Sequence, residues 1–174
     1  MSTETKQDAE RLAAAKILVV DDEHNMRKVV RTMLASMGVQ DVLEARNGQI
    51  GLDLIRRMSP DAVILDWKMP GIDGPTFVRL VRTPGEFPYP DVPIIMLTGH
   101  GDRSHVVEAV KIGVDEFLRK PVSAKALQDR LLAVLNKPRE VVQSGSYYGP
   151  LPRKLATGIH ADDDEAMVKL VFLD

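Results

Sequence analysis

The sequence of 174 residues contains no cysteine, which excludes disulfide bonds, thiolate metal sites and cysteine nucleophiles. It also has no apolar run that approaches the roughly 20 residues of a membrane-spanning helix, and its polar N-terminus lacks the apolar core of a signal peptide. The 23 basic and 25 acidic residues nearly balance, so the charge gives no basic field of the kind that binds nucleic acid. We therefore expect a cytoplasmic protein that binds neither a membrane nor a nucleic acid.

Five short apolar runs rich in Val, Ile and Leu predict five strands, because each is bounded by charged or turn residues. These runs cover residues 16–20, 41–45, 62–66, 93–97 and 116–120. Between and after them, apolar residues recur at helical spacing. One such helix would turn Phe77, Leu80 and Val81 inward and begin at Asp73 as its N-cap, and Ser123 would cap the last helix. Asp22 or Glu23 would cap the helix that follows the first strand.

The alternation of five strands with five helices predicts an α/β fold, a doubly wound five-stranded parallel sheet with helices on both faces. Residues 1–15 form a polar, Ala-rich arm with no clear burial pattern. Residues 138–174 form a tail rich in Gly, Pro and Ser that is too short for a core of its own. The 44% hydrophobic content suits one core, in residues 16–137.

Polar side chains end or directly follow four of the five predicted strands: Asp21 and Asp22, then Asp66, Thr98 and Lys120. Since the carboxyl ends of parallel strands share one edge of the sheet, these groups should meet there. Three carboxylates together need a cation or protons, and an all-oxygen set favours a hard ion such as Mg²⁺. A lysine and a hydroxyl can hold the oxygens of a phosphoryl group. Together these are the parts of aspartyl-phosphate chemistry.

Four motifs in this order carry a resemblance to the receiver domain of bacterial two-component response regulators: VVDDE, LDWKMPGIDG, MLTGH and FLRKP. The resemblance covers roughly residues 16–136. It implies a flavodoxin-like receiver fold with strand order 2-1-3-4-5.

The resemblance implies a role for each site residue. Asp66 resembles the phosphoacceptor, Asp22 would bind Mg²⁺ directly, and Asp21 would act mainly through water. The backbone carbonyl of Lys68 would complete the metal ligands, and Lys120 would contact the phosphoryl group.

The same resemblance implies a switch. Thr98 would move to hydrogen-bond the phosphoryl group, and Phe117 would change rotamer with it, although a plain core role for Phe117 is equally open. Lys68 and His100 occupy positions that tune hydrolysis in the family. Pro121 would follow a cis peptide bond.

The function implied is that of a response regulator receiver, which accepts a phosphoryl group from a sensor histidine kinase and signals through protein contacts. No DNA-binding domain fits after residue 136, so a downstream protein partner or a phosphotransfer protein would read the switch. The alternatives are a phosphorelay carrier or a phosphate sink. Such a protein is not an enzyme beyond catalysing its own aspartyl phosphorylation and dephosphorylation.

The tail has two alternative sites of packing. SYYGPLPR resembles an element that follows some stand-alone receivers. We expect residues 138–174 to pack either on the receiver or on a second copy, which would make a homodimer. An apolar end carrying Met167, Leu170, Val171 and Phe172 would be unfavourable in water.

Two rivals come from other classes. An aspartyl-phosphate phosphohydrolase needs an acid-base Asp two residues beyond the nucleophile, where this chain has Lys68. A flavodoxin-like nucleotide or flavin binder needs a Gly-rich phosphate loop, and none follows Val20.

Trp67 and the histidines have simpler interpretations. Trp67 would be a half-buried cover of the pocket. The four histidines show no metal-ligand spacing, so we expect surface positions for His24, His100, His105 and His160.

Overall fold

The computed structural model describes residues 2–99 and 103–151, with the backbone alone for residues 103 and 104. The strands of the main sheet are β1 Lys16–Val20, β2 Asp41–Ala45, β3 Ala62–Asp66, β4 Ile94–Thr98 and β5 Glu116–Arg119. The helices are α1 Thr3–Ala14, α2 His24–Ser36, α3 Gly48–Met58, α4 Gly74–Val81, α5 Arg103–Ile112 and α6 Ala124–Asn136. Two further strands, β6 Val141–Ser144 and β7 Tyr147–Pro150, form a hairpin.

The five strands are parallel and lie in the order β2-β1-β3-β4-β5, which confirms the predicted doubly wound sheet. Alternate residues of each strand enter two separate cores. In β1, Leu18 and Val20 pack with α3, α4 and α5 on one face, whereas Ile17 and Val19 pack with α1, α2 and α6 on the other. Burial on both faces explains why β1, β3 and β4 are nearly continuous apolar runs.

The strand register places the predicted polar residues at one edge. Val20 pairs with Leu65, Asp66 pairs with Leu97 and Thr98 pairs with Arg119. Each of these pairs lies at the carboxyl end of its strands, where the chain leaves the sheet for a loop.

Side-chain caps begin several helices. Asp73 accepts a hydrogen bond from the Thr76 N–H at 2.9 Å, and Ser123 caps α6 in the same way, as predicted. The cap of α2 differs. Glu23 occupies the cap position without a side-chain hydrogen bond, and Asp21 instead accepts the Glu23 N–H at 2.9 Å.

The inward face of α4 also differs from the prediction. Phe77, Val78 and Val81 are buried, but Leu80 is 44% exposed. At about 100° per residue, the buried residues span one arc of the helix and Leu80 falls outside it. Spacing of three residues from Phe77 was therefore not sufficient to place Leu80 in the core.

The N-terminal arm is a helix that packs on the domain. Leu12 of α1 is 1% exposed, and the Arg11 guanidinium donates to the Leu135 carbonyl at 3.3 Å. Asn136 donates to Asp8 at 2.8 Å. One leucine in a polar helix does not make a periodic pattern, which is why the sequence showed no burial.

The β6–β7 hairpin packs on the end of α5. Its two-residue loop is Gly145–Ser146, a sequence that favours tight hairpin turns. A Cβ added at Gly149 would lie 2.8 Å from the Gly113 Cα, so the two backbones touch, and the Tyr148 hydroxyl donates to Asp91. The described part of the tail therefore packs on its own receiver. The apolar end, with Met167, Leu170, Val171 and Phe172, lies outside the described residues.

The buried guanidinium of Arg82 joins the segments next to the hairpin. It donates to the carbonyls of Gly113 at 2.9 Å, Pro90 at 2.6 Å and Val92 at 2.7 Å, and it forms a 2.8 Å ion pair with Asp115. Arg82 thus connects the loop after α4 with the segments that precede β4 and β5.

No helix within residues 2–99 and 103–151 combines the length and the apolarity that crossing a bilayer requires.

Candidate functional site

Three carboxylates meet at the carboxyl edge of the sheet. One oxygen from each of Asp21, Asp22 and Asp66 lies within 4.8 Å of the other two. Asp66 ends β3, and Asp21 and Asp22 directly follow the neighbouring strand β1. Asp21 and Asp66 are buried, at 2% and 6% exposure, whereas Asp22 is exposed. Converging carboxylates of this kind are suited to a divalent cation.

Lys120 enters the same cluster from the end of β5. Its ammonium lies 2.9 Å from Asp66 Oδ1 and 3.7 Å from Asp21 Oδ2. The Lys120 N–H donates to the Thr98 carbonyl at 2.7 Å, and the peptide bond to Pro121 is cis. The lysine is therefore held by its backbone as well as by its ion pairs.

The environment of the cluster disfavours the ionised form of its buried carboxylates. Burial is the main cause that raises the pKa of Asp21 to about 6, with the nearby Asp66 acting in the same direction. Burial also raises the pKa of Asp66, although the hydrogen bond from Lys120 opposes it. For Lys120 burial acts against the charge, but the hydrogen bond to Asp66 and the carboxylate field outweigh it, so its pKa is raised. One lysine does not fully compensate these carboxylates, and a bound cation would.

Thr98 and Phe117 lie on the two strands beyond Asp66. Thr98 ends β4 and is 1% exposed, one residue after the register partner of Asp66. Phe117 of β5 is 9% exposed and belongs to the core that α5 covers. Thr98 therefore lies on the strand next to Asp66, whereas Phe117 lies two strands away opposite Met96. The switch role of each stays a prediction.

An open cleft of about 560 Å³ adjoins the carboxylates. Its lining residues are Asp22, Glu23, Trp67, Lys68, Met69, Pro70 and Asp73. Lys68 is exposed there. Small charged molecules can therefore approach the cluster from this side.

Trp67 and His105 form a contact that sequence reasoning missed. Their rings stack with centroids 4.3 Å apart and an interplanar angle of 15°, and Trp67 is 7% exposed. The predicted surface position is therefore wrong for His105, which is partly buried, whereas His24 is exposed. The two residues lie on different elements, and the only sequence signal was an aromatic beside the acidic strand end. His100 and His160 lie outside the described residues.

The family model described as the response regulator receiver domain matches residues 17–132 of this chain. Among curated relatives, a chemotaxis protein CheY homolog from Campylobacter jejuni is 39% identical over 121 residues, covering 69% of this chain and 92% of the relative. Chemotaxis protein CheY1 from Helicobacter pylori is 36% identical, covering 69% of this chain and 96% of the relative.

Solved structures show the same similarity. Chemotaxis protein CheY4 from Vibrio cholerae aligns with a TM-score of 0.62 at 31% identity, covering 70% of this chain and 98% of that one. A putative response regulator from Chloroflexus aurantiacus aligns with a TM-score of 0.65 at 32% identity, covering 71% and 98%. The matched region holds the sheet, the three carboxylates and the lysine described above. The chain therefore belongs to the response regulator receiver domain family.

Proposed function

We propose that Asp66 accepts a phosphoryl group from a sensor histidine kinase. The observation that carries this proposal is the position of Asp66, a buried carboxylate at the end of β3 with the Lys120 ammonium 2.9 Å from one of its oxygens. In the reaction an Asp66 oxygen attacks the phosphorus of a phosphohistidine, the P–N bond breaks, and its electron pair stays on the imidazole. Lys120 then pairs with the oxygens of the transferred group.

The proposed cofactor is Mg²⁺. Asp22 and Asp66 would bind it directly, Asp21 mainly through water, and the backbone carbonyl of Lys68 would complete the protein ligands. The convergence of three carboxylate oxygens within 4.8 Å and the exclusively oxygen donors support this choice, since Mg²⁺ retains several waters in such sites. When bound, the ion neutralises charge on the phosphoryl oxygens.

Thr98 and Phe117 are the proposed switch. The Thr98 hydroxyl would hydrogen-bond the phosphoryl group, and Phe117 would change rotamer as the end of β4 moves. Lys68 and His100 would set how fast water removes the group. The described residues outside the receiver, helix α1 and the β6–β7 hairpin, contain no DNA-binding domain. We therefore propose output through contacts with a downstream protein or a phosphotransfer protein.

A phosphohydrolase is the rival that an experiment must exclude. It would require an acid-base Asp two residues beyond Asp66, and this chain has Lys68 at that position. The test is incubation of the chain with acetyl phosphate and Mg²⁺, followed by intact-mass spectrometry. We expect one phosphoryl adduct that Asp66→Asn abolishes, because the chain would catalyse only its own phosphorylation and dephosphorylation. Multiple-turnover release of phosphate from small esters would support the hydrolase instead.

For the tail we propose an intramolecular arrangement in residues 138–151 rather than a tail-mediated homodimer. The contact of Gly149 with Gly113 and the hydrogen bond from Tyr148 to Asp91 support it. Deleting residues 138–174 should therefore leave the oligomeric state unchanged and lower stability. A dimer that dissociates on this deletion would contradict the proposal.

A further inference from the structure

The stack of Trp67 on His105 links the two segments that leave the sheet at the phosphoacceptor and at the predicted switch residue. Trp67 directly follows Asp66 and lines the cleft. His105 lies in α5, the helix that follows Thr98 and β4 along the chain. Its ring lies nearly parallel to the indole at 4.3 Å between centroids, the arrangement of a closely stacked aromatic pair.

The backbone of Trp67 is held firmly. Its N–H donates to the Leu97 carbonyl at 2.9 Å, and its carbonyl accepts the Gly74 N–H at 2.9 Å. A Cβ added at Gly74 would lie 2.7 Å from the Asp66 carbonyl oxygen and 2.9 Å from the Trp67 Cα. The helix start therefore presses directly on the end of β3. A displacement of the indole would therefore shift this backbone as well, because the close packing leaves little space in which the indole could move alone.

The other half of the stack is also anchored. Val106 and Ala109 of α5 are each 1% exposed, and they pack in the core with Trp67, Met69 and Phe117. His105 thus directly precedes Val106, a residue through which the helix packs on the core of the sheet. The stack spans from this helix to the loop that carries Lys68.

We propose that His105 is a positioning residue, which holds Trp67 and, through it, the loop at Lys68 in the geometry that binds the cation. The inference rests on the proposed function of Asp66 and deepens it. His105 touches neither the phosphoryl donor nor the cation in this role. A single aromatic pair contributes enough to change an equilibrium by about two- to tenfold. That is the upper bound of the effect on cation affinity, because only the part of the pair energy that differs between the cation-free and cation-bound states counts.

The test uses the full chain and three variants: His105→Ala removes the ring, His105→Phe keeps a stacking ring, and Glu108→Gln is the matched control. Glu108 lies on the same helix and forms a surface pair with Arg79 at 3.1 Å, and such a pair contributes little. Mg²⁺ affinity is obtained for each protein from the rise of its unfolding temperature with Mg²⁺ concentration. Since each protein is compared with itself without Mg²⁺, a general loss of stability does not imitate the effect.

Trp67 is the only tryptophan in the chain, so its emission reports the stack directly. We expect His105→Ala to change the emission and to weaken Mg²⁺ binding about two- to tenfold. His105→Phe and Glu108→Gln should both retain the wild-type affinity. The inference is overturned if His105→Ala binds Mg²⁺ like the wild type, or if His105→Phe is as weak as His105→Ala.

Failure of the proposed function would look different. If the wild type takes no phosphoryl group from acetyl phosphate but binds Mg²⁺, phosphoryl transfer to Asp66 is wrong while the comparison of His105 variants still decides the positioning role. If the wild type is phosphorylated on Asp66 and the variants do not differ, the positioning role alone is wrong.

Discussion

The ammonium of Lys120 lies 2.9 Å from Asp66 Oδ1, although the two residues are 54 positions apart in the chain. The parallel sheet causes this contact, because β3 and β5 flank β4 and all three strands end at the same edge. In the proposed reaction, the ammonium would pair with the oxygens of the phosphoryl group once that group is bound to Asp66.

Lys120→Met should therefore slow phosphorylation of Asp66 by about a hundredfold or more, the usual loss when one preorganised charge is removed from a phosphoryl or oxyanion site. Methionine keeps much of the length of the side chain without its charge. The measurement is the rate of adduct formation with acetyl phosphate and Mg²⁺. Lys125→Met is the matched control, since Lys125 is exposed and pairs with Asp129 on the surface at 3.2 Å. Equal rates for the two variants would show that the charge of Lys120 does not contribute to the phosphorylation of Asp66.

The raised pKa of Asp21 predicts a pH dependence of stability without Mg²⁺. Because the pKa rises from 3.8 to about 6 on folding, the folded protein binds this proton more tightly than the unfolded chain does. The stabilisation is thus complete below about pH 4 and is lost as the pH rises through about 6. Asp21→Asn should flatten this decline and make the metal-free protein more stable at pH 7 by about 1 to 2 kcal/mol, allowing for screening at the open cleft.

Urea unfolding at a series of pH values without Mg²⁺ measures this pH dependence of stability. Asp41→Asn is the control, because Asp41 is exposed. The same Asp21→Asn variant should bind Mg²⁺ more weakly, since it loses one carboxylate of three. An Asp21→Asn variant that follows the wild-type pH curve would contradict the assignment.

Thr98→Ala should separate phosphorylation from switching. The hydroxyl is proposed to bind the phosphoryl group after transfer, so the variant should still form the adduct. Thr98→Ser, which keeps the hydroxyl, is the control. Hydrogen exchange of the α5 amides, measured with and without acetyl phosphate, should change in the wild type and Thr98→Ser but not in Thr98→Ala. A wild-type response in Thr98→Ala would assign the switch to other residues.

Gly149→Ala tests the docking of the hairpin. The added Cβ would lie 2.8 Å from the Gly113 Cα, and because that contact is with backbone, the hairpin must move. Overpacking of this kind costs about 1 to 3 kcal/mol. Ser146→Ala, in the exposed turn, should cost less than about 0.5 kcal/mol. Urea unfolding compares the two variants, and equal free energies of unfolding would show that the hairpin does not depend on this contact.

The sequence predicted the strands and the carboxylate cluster well for a physical reason. Strands β1, β3 and β4 are buried on both faces and are apolar along almost their whole length, so the polar residue at the end of each run marks the edge of the sheet. Asp21, Asp66 and Thr98 could therefore be placed together from the sequence. Lys120 ends a predicted strand that itself carries charged residues, and the alternation of strands and helices placed it at the same edge. The resemblance to the receiver family supplied the strand order, which periodicity alone does not determine.

The features that escaped prediction depend on contacts between distant segments. Arg82 precedes a proline-rich loop and has the composition of a surface residue, but its guanidinium is buried because three carbonyls and Asp115 surround it. The stack of Trp67 on His105 likewise has no local pattern. The hairpin was the exception that left a signal, since Gly145–Ser146 between two short apolar segments is typical of a tight turn.

Phosphorylation of Asp66 is the central claim, and intact-mass spectrometry after treatment with acetyl phosphate and Mg²⁺ tests it most directly. We predict one added phosphoryl group in the wild type, none in Asp66→Asn, and none when the Mg²⁺ is removed by chelation. An adduct that persists in Asp66→Asn, or that forms equally well without Mg²⁺, would contradict the account.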